Sequence, residues 1–114
     1  MASEEDVDDL TRLRRAMSAE MEEWFIKYVN HEPLNITKGS KRETTFMGLP
    51  TALIVSYECE HSTIYGVEVA ASRIMKDISQ VTVRVRHTAK QTSAHTMECT
   101  REEADRIQNI FTWG

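Results

Sequence analysis

Apolar residues at Leu10, Leu13, Met17, Met21, Trp24 and Tyr28 recur in steps of 3, 4, 4, 3 and 4, an average of 3.6 that matches one turn of α-helix. Neither Pro nor Gly interrupts the run, so the pattern predicts one amphipathic helix over residues 5–29. Ser3 with Asp6 offers a capping pair at its start, and Pro33 after Asn30-His31-Glu32 marks its end. Phe25 and Val29 widen the stripe, which predicts deeper packing at the C-terminal end. At 1.5 Å per residue such a helix is about 37 Å long. A compact chain of this size is about 34 Å across. The leading rod is as long as the body that carries it, so its first turns overhang or are covered by another molecule.

The pattern then changes. Residues 34–43, with Lys38, Lys41 and Arg42, read as a mobile basic loop. Thr44 to Met47 is a weak strand before a turn at Gly48-Leu49-Pro50. Thr51 to Cys59 alternates cleanly, with Leu53, Val55, Tyr57 and Cys59 on one face. Glu60-His61-Ser62 is a turn and Thr63 to Ala71 the next strand. Residues 66–78 also fit a helical stripe through Val67, Ala70, Ala71, Ile74 and Ile78, so both readings stay open there. Gln80 to Thr88 is a firmer strand: Val81, Val83 and Val85 face one way, Thr82, Arg84 and Arg86 the other. A hairpin loop at 89–92 leads to Ser93–Cys99. Thr100-Arg101-Glu102-Glu103 then forms a capping box for a last helix with Ala104, Ile107, Ile110 and Phe111 inward, ending near Trp113.

These elements predict a single α+β domain over 1–114: a long N-terminal helix behind a frayed acidic start at 1–6, a three- to four-stranded mostly antiparallel sheet, and a short C-terminal helix. Both helices are expected on one sheet face.

Charge alters the picture in one respect. The net charge is −4, which disfavours a strongly basic nucleic-acid wrapper or a polybasic membrane tether. Residues 1–30 hold eight acids and four bases, whereas residues 31–100 hold seven acids and eight bases. The acidity thus gathers at the start, and residues 81–97 have no carboxylate at all. No apolar run approaches a membrane span, the first residues lack a secretory signal, and two cysteines are too few for a disulfide scaffold. An intracellular setting, cytoplasmic or nuclear, is the expectation, with no membrane partner and no cofactor.

Signatures of common chemistry are absent: no glycine-rich phosphate loop, no Gly-x-Ser-x-Gly, no His-Glu-x-x-His, no Cys-x-x-Cys. Cys59 with His61 and His95 with Cys99 would make a tetrahedral zinc set if their strands were neighbours. Their spacing matches no usual zinc finger, and buried strand cysteines are commonly small core residues. Glu58, Glu60 and Glu68 near His61 or His87 allow an acid–base reading, although nothing in the sequence sets their distances. Neither set is assigned a catalytic or metal role.

Two binding readings remain. The length argument leaves Leu10, Leu13 and Met17 short of partners inside the domain, and Arg14 flanks them. These four are the expected contact of a non-catalytic interaction module that self-associates or docks a protein partner. The alternative is a small RNA- or DNA-binding protein using Arg84, Arg86 and Lys90 with the loop residues Lys38, Lys41 and Arg42. Against it, residues 80–100 contain no Phe, Tyr or Trp on which a base would stack.

Overall fold

The computed structural model describes residues 8–74, 76–87 and 91–109, the side chains of residues 46, 49 and 50 excepted. Two short helices, α1 (Asp9–Ala16) and α2 (Ala19–Val29), precede five strands: β1 (Ile36–Phe46), β2 (Leu49–Cys59), β3 (Ile64–Arg73), β4 (Ile78–His87) and β5 (Thr92–Thr100). Helix α3 (Arg101–Gln108) follows. The strands form one antiparallel meander in the order β1-β2-β3-β4-β5. A fold with a long leading helix and a three- to four-stranded sheet is therefore corrected to two short helices and five strands.

The expected rod breaks at Met17 and Ser18, both extended (φ −81°, ψ 152° and φ −66°, ψ 161°). Asp8 caps α1 by accepting from the Thr11 amide at 2.7 Å, a bond that holds its carboxyl below the usual range. Ser18 caps α2 by accepting from the Met21 amide at 3.3 Å, and its hydroxyl also donates to Met97 Sδ. The body measures 40 × 39 × 30 Å, so a rod of about 37 Å would still fit along it. The corner instead folds α1 back onto α3 while α2 lies over β5. Arg14 spans the corner, donating from Nε and Nη2 to Glu22 Oε1 (3.0 and 2.8 Å) and from Nη1 to His31 Nδ1 at 3.1 Å.

With the rod broken, its stripe turns inward. Leu10, Leu13, Met17, Met21, Phe25 and Val29 are all buried, with Leu34, Ala104 and Ile107, against Val55, Tyr57, Val67, Val69, Val81, Val83 and Val85. Leu10, Leu13 and Met17 thus find their partners inside the subunit, and Arg14 is engaged at the corner. The ground for giving these four an outside partner is removed. Replacing Ser18 by Ala is expected to cost about 1 kcal/mol, the usual worth of an N-cap. Urea unfolding measures it. An unchanged midpoint would mean that packing alone holds the corner.

The segment expected as a mobile loop, 34–43, is mostly strand. β1 pairs with β2 from Ile36↔Cys59 to Phe46↔Leu49, with register shifts at Ile36/Lys38 and Thr44/Thr45. Its composition is poor for a strand, and a partner along its whole length outweighs propensity. The ambiguous stretch 66–78 is strand through Arg73, then resumes as strand at Ile78. A register shift between Ile64 and Gly66 explains why Ile64 shares the core face with Val67 and Val69. The Thr100–Glu103 capping box is present. The acidic start at 1–6 and the positions of Ile110, Phe111 and Trp113 lie outside the described residues. Among described residues, no helix is long and apolar enough to cross a membrane.

Candidate interaction surface

Because paired residues of antiparallel strands point to the same face, the registers map the outer side of the sheet row by row. One row reads Arg42, Ile54, Ala70, Thr82, Thr96. The next reads Ser40, Ser56, Glu68, Arg84, Ala94, and the one beyond it Lys38, Glu58, Gly66, Arg86, Thr92. On the other flank lie Thr44, Ala52, Ser72, Gln80 and Glu98. The helices pack on the opposite face, and no described element crosses this one.

The middle of this face is built from short side chains. Ala52, Ile54, Ser56, Ala70 and Thr82 are half-buried by their neighbours alone. Thr82 and Thr96 share a hydroxyl hydrogen bond of 2.8 Å across strands. Charges ring this centre. Arg86 Nη2 lies 3.6 Å from Glu68 Oε2, and Lys38 stands opposite Glu58. Lys38, Arg42, Arg84 and Arg86 share the face with Glu58, Glu68 and Glu98, so it is of mixed sign.

The basic residues singled out from the sequence are therefore only partly united. Lys38, Arg42, Arg84 and Arg86 share the outer face, whereas Lys41 pairs with Val55 and lies on the opposite side of β1. Lys90 lies outside the described residues. Lys38 and Arg42 sit on the edge strand, three strand spacings or about 14 Å from Arg84 and Arg86.

The catalytic and metal sets are not assembled. Cys59 lies on β2 and His95 and Cys99 on β5, with β3 and β4 between them. Burial pushes the Cys59 thiol up to about 11 and raises that of Cys99, where Glu103 adds to the effect, so both are neutral thiols near pH 7. Glu58 and Glu68 face outward, away from His61. That histidine is enclosed beneath the end of α2: its Nε2–H donates to the Val29 carbonyl at 3.0 Å, and its Nδ1 accepts from the Thr63 amide at 3.1 Å. Thr63 donates its hydroxyl to the Tyr28 carbonyl at 2.8 Å. Glu32 completes the clamp, accepting from the Ser62 amide and hydroxyl at 2.7 and 2.6 Å, contacts that lower its carboxyl below the ordinary value.

His87 Nε2 lies 2.9 Å from Ser93 Oγ. Among described residues no carboxylate orients that imidazole, so the pair is half of a nucleophile–base arrangement. A cleft of about 150 Å³ lies between α3 and the ends of β2 and β3, by Arg101, Asp105 and Gln108. Ligand pockets commonly hold 300–1,000 Å³. Comparison of the chain with family models, curated proteins and solved structures finds no match.

Proposed function

We propose that this chain is a non-catalytic interaction module that docks a protein partner on the uncovered face of its sheet. One observation carries the reading: Ala52, Ile54 and Ala70 form a low, partly apolar centre ringed by Lys38, Arg42, Arg84 and Arg86 on one hand and Glu58, Glu68 and Glu98 on the other. A solvated sheet face usually carries polar side chains throughout. A desolvated middle with a charged rim of both signs is the make-up of a protein contact, in which the rim sets orientation. An intracellular setting, cytoplasmic or nuclear, goes with two free thiols.

A photo-crosslinking residue placed at Ser56, with one at Glu23 on α2 as control, tests the proposal in a cell extract. The expected result is a discrete adduct from the Ser56 position alone that disappears on Ile54→Glu, while thermal stability is kept. Equal adducts from both positions, or adducts indifferent to Ile54→Glu, would refute it.

The second reading, a nucleic-acid partner, draws on Arg84 and Arg86 lying side by side along β4 on the outer face. Three acids on the same face and the Glu68–Arg86 pair oppose it. Binding of mixed-sequence RNA that steepens as salt falls and is lost on Arg84→Glu would favour this reading over the first.

A further inference from the structure

The sheet ends in two unlike edges. β1 carries Lys38, Lys41 and Arg42 and is twice broken in register, features by which an edge strand refuses a further strand. β5 has neither. Its nine residues pair with β4 without a register shift and include no Pro, Gly, Lys or Arg, and Glu98 is their one carboxylate. Two hydrogen bonds flanking the ladder fix its phase, from the His87 amide to the Gln91 carbonyl and from the Arg101 amide to the Asp77 carbonyl. Odd-numbered residues of β5 therefore direct their backbone groups at β4. Those of Thr92, Ala94, Thr96, Glu98 and Thr100 point away from the sheet.

We infer that β5 pairs antiparallel with β5 of a second copy, centred on Thr96, to give one continuous ten-stranded sheet. Charge selects this occupant. In that register Glu98 of one copy stands opposite Ala94 of the other, and Ala94 is paired with Arg84 on β4. The Cα atoms of Arg84 and of Glu98 in the second copy are then two strand spacings apart, about 10 Å. Only a methyl group lies between, so an extended arginine and a glutamate meet across it. Among described residues neither Arg84 nor Glu98 has an ion-pair partner within its own chain. The two Glu98 residues fall about 14 Å apart, beyond the Debye length at physiological salt. On the other face His95 meets Met97 of the second copy, both half-buried beside Trp24, which stacks on the His95 ring at 5.4 Å.

Symmetry gives the edge difference its sense. A two-fold contact between like edges closes on itself at two copies, whereas β1 pairing on β5 would add copy after copy, into a ring or an open filament. The bases and register breaks of β1 block the second arrangement and leave the first. This contact is centred on Thr96 at the edge, and the partner-docking reading on Ile54 in the middle of the face. Arg84 and Glu98 belong to both, and Thr96→Lys and Ile54→Glu separate them, so each can fail alone.

Sedimentation velocity of the full chain from ~5 to ~500 μM tests the inference, a range set by a strand-edge contact being smaller than a standard interface. The mass is expected to rise from 13.1 kDa toward twice that value. Glu98→Arg and Arg84→Glu should each weaken association about tenfold, by turning two attractions into repulsions. The charge-swapped double variant should recover it. Thr96→Lys sets like charges on the two-fold axis and should leave a folded monomer, whereas Ile54→Glu on the face should leave the dimer intact. A chain that stays monomeric throughout overturns the inference. So does a dimer indifferent to Thr96→Lys, or a double swap that restores nothing.

Discussion

Raising the pH from 9 toward 12 is expected to unfold the chain, with Tyr57 and Cys59 on β2 as the main buried contributors. Both are neutral acids in the core, 2 % and 8 % exposed. Burial pushes the Tyr57 phenol from 10.0 up to about 12, and the Cys59 thiol from 9.0 up to about 11. Above pH 9 the unfolded chain releases these protons first, so it binds fewer than the folded chain and stability falls as pH rises. The stabilisation is present in full below pH 9 and is lost by about pH 12. Two pH units correspond to about 2.7 kcal/mol per group, hence about 5 kcal/mol together. That equals the whole stability of many domains. Phenolate absorbance and circular dichroism followed together check it: Tyr57 should ionise with loss of the fold. Tyr57→Phe should remove about half of the alkaline loss. Ionisation of Tyr57 near pH 10 in a chain that stays folded would count against this.

His61→Phe is expected to cost about 1–3 kcal/mol, although it keeps the ring. Val29 ends α2, and its carbonyl accepts from the Glu32 amide at 3.1 Å as well as from His61. His61 Nε2–H donates to that carbonyl, and Nδ1 accepts from the Thr63 amide. Phe removes both hydrogen bonds, at about 0.5–1.5 kcal/mol each, while the Glu32 amide still serves the Val29 carbonyl. It also removes the imidazole 3.5 Å from Glu32 Oε2. Urea unfolding gives the value directly. A loss under about 0.5 kcal/mol, as for an ordinary surface change, would mean that water satisfies both groups.

The same residue shows where reading the chain stops. His61 lies in a polar turn beside a cysteine and two glutamates, and the sequence offers it as a ligand or a base. Its actual partners are backbone atoms 32 and 2 residues away, which leave no trace in side-chain pattern. Ser18 was legible in part: a serine ahead of Ala19-Glu20-Met21-Glu22-Glu23 is a helix start. The unbroken 3.6-residue period hid it, because both helices bury their stripes in one core and the period runs on across the corner. The outer face was half legible. Alternation set Arg84 and Arg86 opposite Val81, Val83 and Val85, as found. Lys38 and Arg42 joined that face only because β1 is a strand.

Sequence alone determined what depends on near neighbours. The two faces of β2 and β4, the stop of α2 at Val29, the capping box of α3 and the mixture of helices with an antiparallel sheet all follow from local alternation, caps and turns. Tertiary structure decided what depends on competition between distant partners. Continuing the leading helix past Met17 gains a few backbone hydrogen bonds, whereas bending there lets Leu10 and Leu13 reach the core with Phe25 and Val29. A poor strand sequence becomes β1 because β2 offers an open edge to pair with, and the meander order puts two strands between Cys59 and His95. Periodicity states which way a side chain points within its element; only packing states what it meets.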